Sequence, residues 1–142
     1  PAEAARLLSL RTGQSWTAQQ VQGERLAAAR ALASHTGAVV VLKGEGTVIA
    51  GADRVAIALS GGPALATAGT GDCLAGLIGA LLARGLDAWQ AASAGVHLHG
   101  VAGELLGAEH RGAVALDLAD AIGRIVADPP IEHPRWPRHY LG

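Results

Sequence analysis

The sequence predicts an α/β fold, and three observations predict it. The run 38–42, Ala-Val-Val-Val-Leu, is apolar throughout, rich in β-branched residues and stopped by a charged glycine loop. This is the pattern of a strand buried on both faces in a parallel sheet. Two further apolar segments, 47–50 and 55–59, flank Gly51-Ala52-Asp53 and read as a β-hairpin. The rest is helical in pattern, most of all in the second half.

Taken in order, residues 2–10 predict a short helix. Thr17-Ala18-Gln19-Gln20 has the spacing of a capping box, with a helix running on to about His35 and Val21, Leu26 and several alanines on its apolar side. The strand and hairpin follow, and Ser60-Gly61-Gly62-Pro63 turns the chain. Residues 73–83 carry no charge and are apolar all round, which predicts a helix packed between the sheet and its neighbours. Its small residues Ala75, Gly76, Gly79 and Ala80 are expected to permit close approach, the packing offsetting the poor helix propensity of glycine. Helices at 88–106 and 117–127 follow, the latter stopped by Pro129-Pro130. Residues 129–142, with Pro134, Trp136 and Pro137, have no periodicity and read as an irregular tail.

Composition narrows the function classes. A chain of 142 residues, half of them hydrophobic, can bury one domain core. With 11 basic against 12 acidic residues and no basic cluster, it lacks the electrostatic footprint of a nucleic-acid or anionic-membrane binder. The single cysteine, Cys73, cannot form an internal disulfide and reads as a small buried apolar residue in a reducing compartment. The uncharged helical stretch 73–83 is far short of the roughly twenty residues that span a bilayer. A cytoplasmic location and no membrane partner are therefore expected. His97 and His99 lie two apart on a helix and point to different sides, which disfavours a shared metal, so His99 reads as a packed or hydrogen-bonded helix residue. Neither Ser60 nor Ser93 sits in a Gly-x-Ser-x-Gly elbow, which disfavours acyl transfer.

Two loops carry the chemistry. Ala66-Thr67-Ala68-Gly69-Thr70-Gly71-Asp72, followed at once by the chargeless helix, is a glycine turn that aims backbone N–H groups and a positive helix end at one point, where a phosphate could sit. Asp72 stands beside that point, placed either to orient a cation or to take a proton from a hydroxyl. The plainer alternative is that Thr70 or Asp72 caps a core helix. The string is neither a P-loop nor a Gly-x-Gly-x-x-Gly, since no Gly-Lys-Ser/Thr follows and Leu74 occupies the third glycine position. The second loop, Lys43-Gly44-Glu45-Gly46-Thr47, leaves the carboxyl end of the predicted strand, which puts Lys43 and Thr47 where a phosphate, ribose or adenine would be met. Its alternative is a tight turn between two strands with an exposed lysine.

Together the loops resemble a known family. Lys-Gly-x-Gly-Thr after a buried strand, then Gly-x-Pro-x-Leu-Ala-Thr-x-Gly-Thr-Gly-Asp-x-Leu-Ala-Gly-x-Ile, is similar to the carboxyl-terminal half of the ADP-dependent NAD(P)H-hydrate dehydratases. Pro1 to Leu8, Leu98-His99-Gly100 with Ala102-Gly103, and Ala115 to Leu118 match further family segments in order. The resemblance runs from Pro1 to about Asp128. One departure is Gly62 before Pro63, where the family usually has Asn; that puts one substrate-site amide in doubt. The implied fold is ribokinase-like, a three-layer α/β/α architecture, represented here by a partial domain at 1–128 with a buried strand, a hairpin and several helices. The half that precedes it in the family is expected to be missing, so the chain alone is expected to have little or no dehydratase activity.

The resemblance also implies a reaction. The S-form of hydrated NADH or NADPH would be phosphorylated by ADP at its hydroxyl and then lose phosphate, which restores the reduced nicotinamide. This would be nicotinamide nucleotide repair by a carbon–oxygen lyase. Asp72 would bind the substrate and act as the base. Backbone N–H groups of Gly69, Thr70 and Gly71 would stabilise the transferred phosphate, and Lys43, Gly44, Glu45, Gly46 and Thr47 would hold the AMP part. Mg2+ is expected to accompany ADP, with no protein metal cage, and the full-length protein is expected to form homo-oligomers. Two readings from other classes stay open: a kinase of the same fold acting on a small alcohol, and a nucleotide-binding fragment without catalysis.

Overall fold

The structure is a computed structural model and describes residues 1–109 and 112–127. The sequence readings at Pro129-Pro130 and the tail 129–142 lie outside the described residues. Helix α1 (Ala2–Thr12) ends at Gly13, whose left-handed backbone lets its N–H return to Ser9 O. Helix α2 (Ala18–Gly23) begins with the expected capping box: Gln20 N–H donates to Thr17 Oγ1 at 3.2 Å, and Thr17 N–H donates to Gln20 Oε1 at 2.8 Å. The single helix expected to reach His35 is instead two. Gly23, a poor helix former, closes α2; Glu24 leaves helical geometry (φ −126, ψ 47), and α3 (Arg25–Thr36) starts afresh.

The sheet has three strands, β1 (Val40–Leu42), β2 (Val48–Ala50) and β3 (Val55–Ile57), in the order β1-β2-β3. Both pairings are antiparallel, with Val41 opposite Ile49 and Ile49 opposite Ala56. The hairpin read from sequence is β2–β3. The parallel sheet expected around β1 is corrected: among the described residues β1 pairs antiparallel with β2, because the 43–47 loop reverses the chain as the turn between two strands. Cover on both faces does hold. Val40, Leu42, Val48, Ala50 and Val55 pack with α1–α3, whereas Val39, Val41, Ile49, Ala56 and Ala58 meet Leu74, Ala92 and Val96. The alternation of side chains along each strand thus places helices on both faces, giving three layers.

After a short 3-10 turn at Pro63–Ala66 come α4 (Thr70–Ala83), α5 (Ala88–Glu109) and α6 (Ala115–Ala127). Val101, Ala102 and Leu106 of α5 and Leu118, Ala121, Ile122 and Ile125 of α6 form a separate core that Leu65, Cys73 and Leu77 join. The small residues of α4 do not play their expected part. Ala75, Gly76, Gly79 and Ala80 are exposed, and nothing described lies within 4 Å of a side-chain carbon built at Gly76 or Gly79. Close approach is made from α5, where a carbon at Gly95 would stand 2.7 Å from Ile78 and one at Gly103 2.5 Å from Leu65. Cys73 is half-buried, and its thiol donates to Ala115 O at 3.3 Å. Among the described residues no helix is long and apolar enough to cross a membrane.

Candidate functional site

The turn after β1, the start of α4, the segment 58–66 and one face of α5 enclose a cavity of about 610 Å³. All five residues of the 43–47 loop, Lys43, Gly44, Glu45, Gly46 and Thr47, line it, as do Thr70, Leu74, His99 and Gly100. Gly69, Gly71 and Asp72 are not part of its lining. Gly69 and Asp72 are exposed and Gly71 is half-buried at the start of α4, and Gly71 meets the cavity lining through Lys43: a side-chain carbon built at Gly71 would collide with the Lys43 Nζ. Glycine at this position therefore lets a lysine amine rest directly on the helix start.

No side chain caps α4; its N-cap is Gly69, in a left-handed conformation with φ 86. The capping alternative for Thr70 and Asp72 is thereby removed. Thr70 is 5% exposed, and its hydroxyl lies 2.9 Å from the carbonyl oxygens of both Leu65 and Thr67, which fastens the helix start to the preceding turn. The Thr70 N–H makes a long 3.4 Å bond to Thr67 O, whereas the N–H groups of Asp72 and Cys73 both return to Gly69 O. The carboxylate of Asp72 is exposed, in the first turn where a negative charge is favoured.

The electrostatics favour an anion. The Lys43 ammonium sits at the positive end of the α4 dipole, and among the described residues no carboxylate comes within ion-pair distance of it; the ion pair present there joins the neighbours Arg54 and Asp53 at 3.2 Å. On the cavity wall His99 is 7% exposed with its Nε2 2.8 Å from Thr70 O. A carbonyl only accepts, so Nε2 carries the hydrogen. Burial pushes the His99 pKa below its ordinary value, the bond to Thr70 pulls it back up, and the Lys43 charge lowers it further.

Sequence reasoning missed several supporting residues. Glu104 Oε1 accepts from the Gly61 N–H at 3.0 Å and Ser60 Oγ donates to His97 O at 3.4 Å, so α5 holds the 60–62 segment that walls the cavity. A side-chain carbon at Gly100 would run into Ser60, which explains the glycine inside this helix. Arg25, from α3, donates to Leu42 O, Lys43 O and Gly46 O at 3.0, 3.2 and 3.4 Å. No local signal marks these residues, because their partners are 17 to 43 positions away. Gly62, where the resembling family usually has Asn, does line the cavity. Among the described residues no group of three or more His, Cys, Asp or Glu side chains converges to hold a metal ion.

Comparison with known proteins places this geometry. Residues 1–125 match a family model described as NAD(P)H-hydrate dehydratase. The ADP-dependent (S)-NAD(P)H-hydrate dehydratase of Neisseria meningitidis serogroup B is 48% identical over 107 residues, 75% of this chain and 34% of its own length. A bifunctional NAD(P)H-hydrate repair enzyme of Escherichia coli K12 is 41% identical over 129 residues, 89% of this chain and 24% of its own. The chain thus spans about a third or less of the length of these relatives. A solved ADP/ATP-dependent NAD(P)H-hydrate dehydratase from Bacillus subtilis, co-crystallised with ATP and Mg2+, superposes with a TM-score of 0.72 at 36% identity, covering 77% of this chain and 40% of its own. The fold is therefore the ribokinase-like α/β fold of these enzymes in part. The match to the family model runs through both loops and the helices that hold them, and the chain belongs to the NAD(P)H-hydrate dehydratase family.

Proposed function

We propose that this chain, residues 1–128 in particular, supplies the nucleotide-binding part of an ADP-dependent dehydratase acting on the S-form of hydrated NADH or NADPH. The observation that carries the reading is the placement of the Lys43 Nζ over Gly71, which joins the cavity-lining 43–47 loop to the positive start of α4. ADP would lay its AMP portion against Lys43, Gly44, Glu45, Gly46 and Thr47 and bring its terminal phosphate to the rim. There the Lys43 ammonium and the N–H groups of Gly69, Thr70 and Gly71 would meet the charge that develops on transfer.

Asp72 is exposed and is not among the residues that line the cavity, which would leave it open to a second substrate while a nucleotide is bound. It would bind the hydrate and take the proton from its hydroxyl as that oxygen attacks the terminal phosphorus of ADP. AMP leaves; the C–O bond of the new phosphate ester then breaks to release inorganic phosphate, and loss of a proton from the adjacent ring carbon restores the double bond. Hydroxide leaves poorly and phosphate leaves well, which is why a phosphate donor is needed. The described residues form no cage for a divalent cation, so Mg2+ would arrive with the nucleotide, and no step assigned to these side chains passes through it.

Product analysis on the full-length protein tests this. Incubation with ADP and hydrated NADPH is expected to yield AMP, free phosphate and NADPH; accumulation of a stable phosphorylated alcohol would instead favour the small-alcohol kinase. Asp72→Asn is expected to slow turnover by about 10²-fold or more while nucleotide affinity stays unchanged. Full turnover in that variant would remove Asp72 from the role of base.

A further inference from the structure

Arg25 opens α3, where a cation faces the unfavourable positive end of the helix dipole. Three of its four guanidinium contacts go to backbone: Nη2 donates to Leu42 O at 3.0 Å and Gly46 O at 3.4 Å, and Nη1 donates to Lys43 O at 3.2 Å and to the Gln22 side-chain Oε1 at 3.3 Å. It also fills the space beside Gly44. A side-chain carbon there would lie 2.6 Å from Nη1, and φ of 142 excludes other residues in any case. Lys43, Gly44, Glu45, Gly46 and Thr47 line the cavity, and Arg25 does not.

We propose that Arg25 is a positioning residue that sets the peptide orientation of the 43–47 loop, turning carbonyls outward so that amide N–H groups face the cavity. In a trans peptide the C=O and N–H point in opposite directions, and no cis peptide occurs among the described residues. Holding Leu42 O, Lys43 O and Gly46 O against one guanidinium therefore directs the N–H groups of Lys43, Gly44 and Thr47 away from it. These are donors suited to phosphate or adenine acceptors. Thr47 Oγ1 adds to the arrangement by donating to Gly44 O at 3.1 Å. A planar fork holds its donors in fixed directions and reaches several separated carbonyls at once, whereas the compact ammonium of a lysine on its flexible stem does not fix their orientation. The break at Glu24 gives α3 its own start and makes Arg25 its first residue.

This inference rests on the nucleotide reading above, and its test separates the two. AMP binding by calorimetry and backbone amide NMR signals without nucleotide would be recorded for the wild-type chain, Arg25→Ala and Arg25→Lys. Both variants are expected to bind AMP about tenfold or more weakly, with shifted and faster-exchanging Gly44 and Thr47 amides. Added ethylguanidinium is expected to restore binding to Arg25→Ala, and added ammonium is not. Wild-type affinity together with unchanged amide signals in Arg25→Lys overturns the proposal. Should Arg25→Ala fail to fold, Arg25→Lys decides. Should the wild-type chain bind no AMP, the nucleotide reading of this chain fails, and the amide signals still decide whether Arg25 orders the loop.

Discussion

Lys43 and His99 share one corner of the cavity, and their charges are not independent. The lysine is cationic beside the positive end of α4, and His99, buried and within range of that charge, is held neutral with its pKa below the ordinary 6.5. The consequence for stability has a definite sign. Between the folded-state value and 6.5 the unfolded chain binds a proton that the folded chain refuses, so stability present above 6.5 is lost as pH falls through the folded value. Glutamine can still donate to Thr70 O without titrating. The drop in melting temperature between about pH 7.5 and about pH 5.5 is therefore expected to be smaller in His99→Gln than in wild type. An equal drop in both would contradict this role. The sequence allowed His99 to be read as a hydrogen-bonded helix residue, but its partner, Thr70 O, lies 29 positions earlier and is found only in three dimensions.

At the level of elements, local signals were legible and pairing was not. The Thr17–Gln20 capping box forms as its spacing predicts, because both bonds close within four residues. Thr17→Ala removes the acceptor of the Gln20 N–H, and thermal or denaturant unfolding is expected to show a loss of about 1 kcal/mol. No change would mean that α2 is held by Val21 and its neighbours alone. The antiparallel pairing of β1 was missed because a strand covered on both faces has the same apolar run whichever way its neighbour points. The α2–α3 break escaped because one glycine inside a helical pattern is ordinarily tolerated. In α4 the chargeless run gave the helix correctly. Which face it buries depends on Ile78 meeting Gly95, a contact outside any local window.

On the scale of the molecule, three layers bring together loops that are distant in sequence. Strand β1 presents residues 43–47, α5 braces the 60–62 segment through Glu104 and Ser60, and Thr70 fastens α4 against the same wall. Both glycine loops could be read from sequence as phosphate-facing, yet their meeting through Lys43 and Gly71 required the fold. Asp72, by contrast, is absent from the cavity lining, which spacing alone did not show. The proposed function requires this meeting point to hold the phosphates of an adenine nucleotide. Calorimetric titration with AMP and ADP in the presence of Mg2+, on the wild-type chain and Gly71→Val, tests it most directly. The added side chain meets the flexible end of Lys43, so the fold should survive while the amine is displaced. The account predicts binding by the wild type and, in a variant that melts normally, affinity lower by about tenfold or more, as expected for lost hydrogen bonds to a charged group. Equal affinity in both proteins would contradict it.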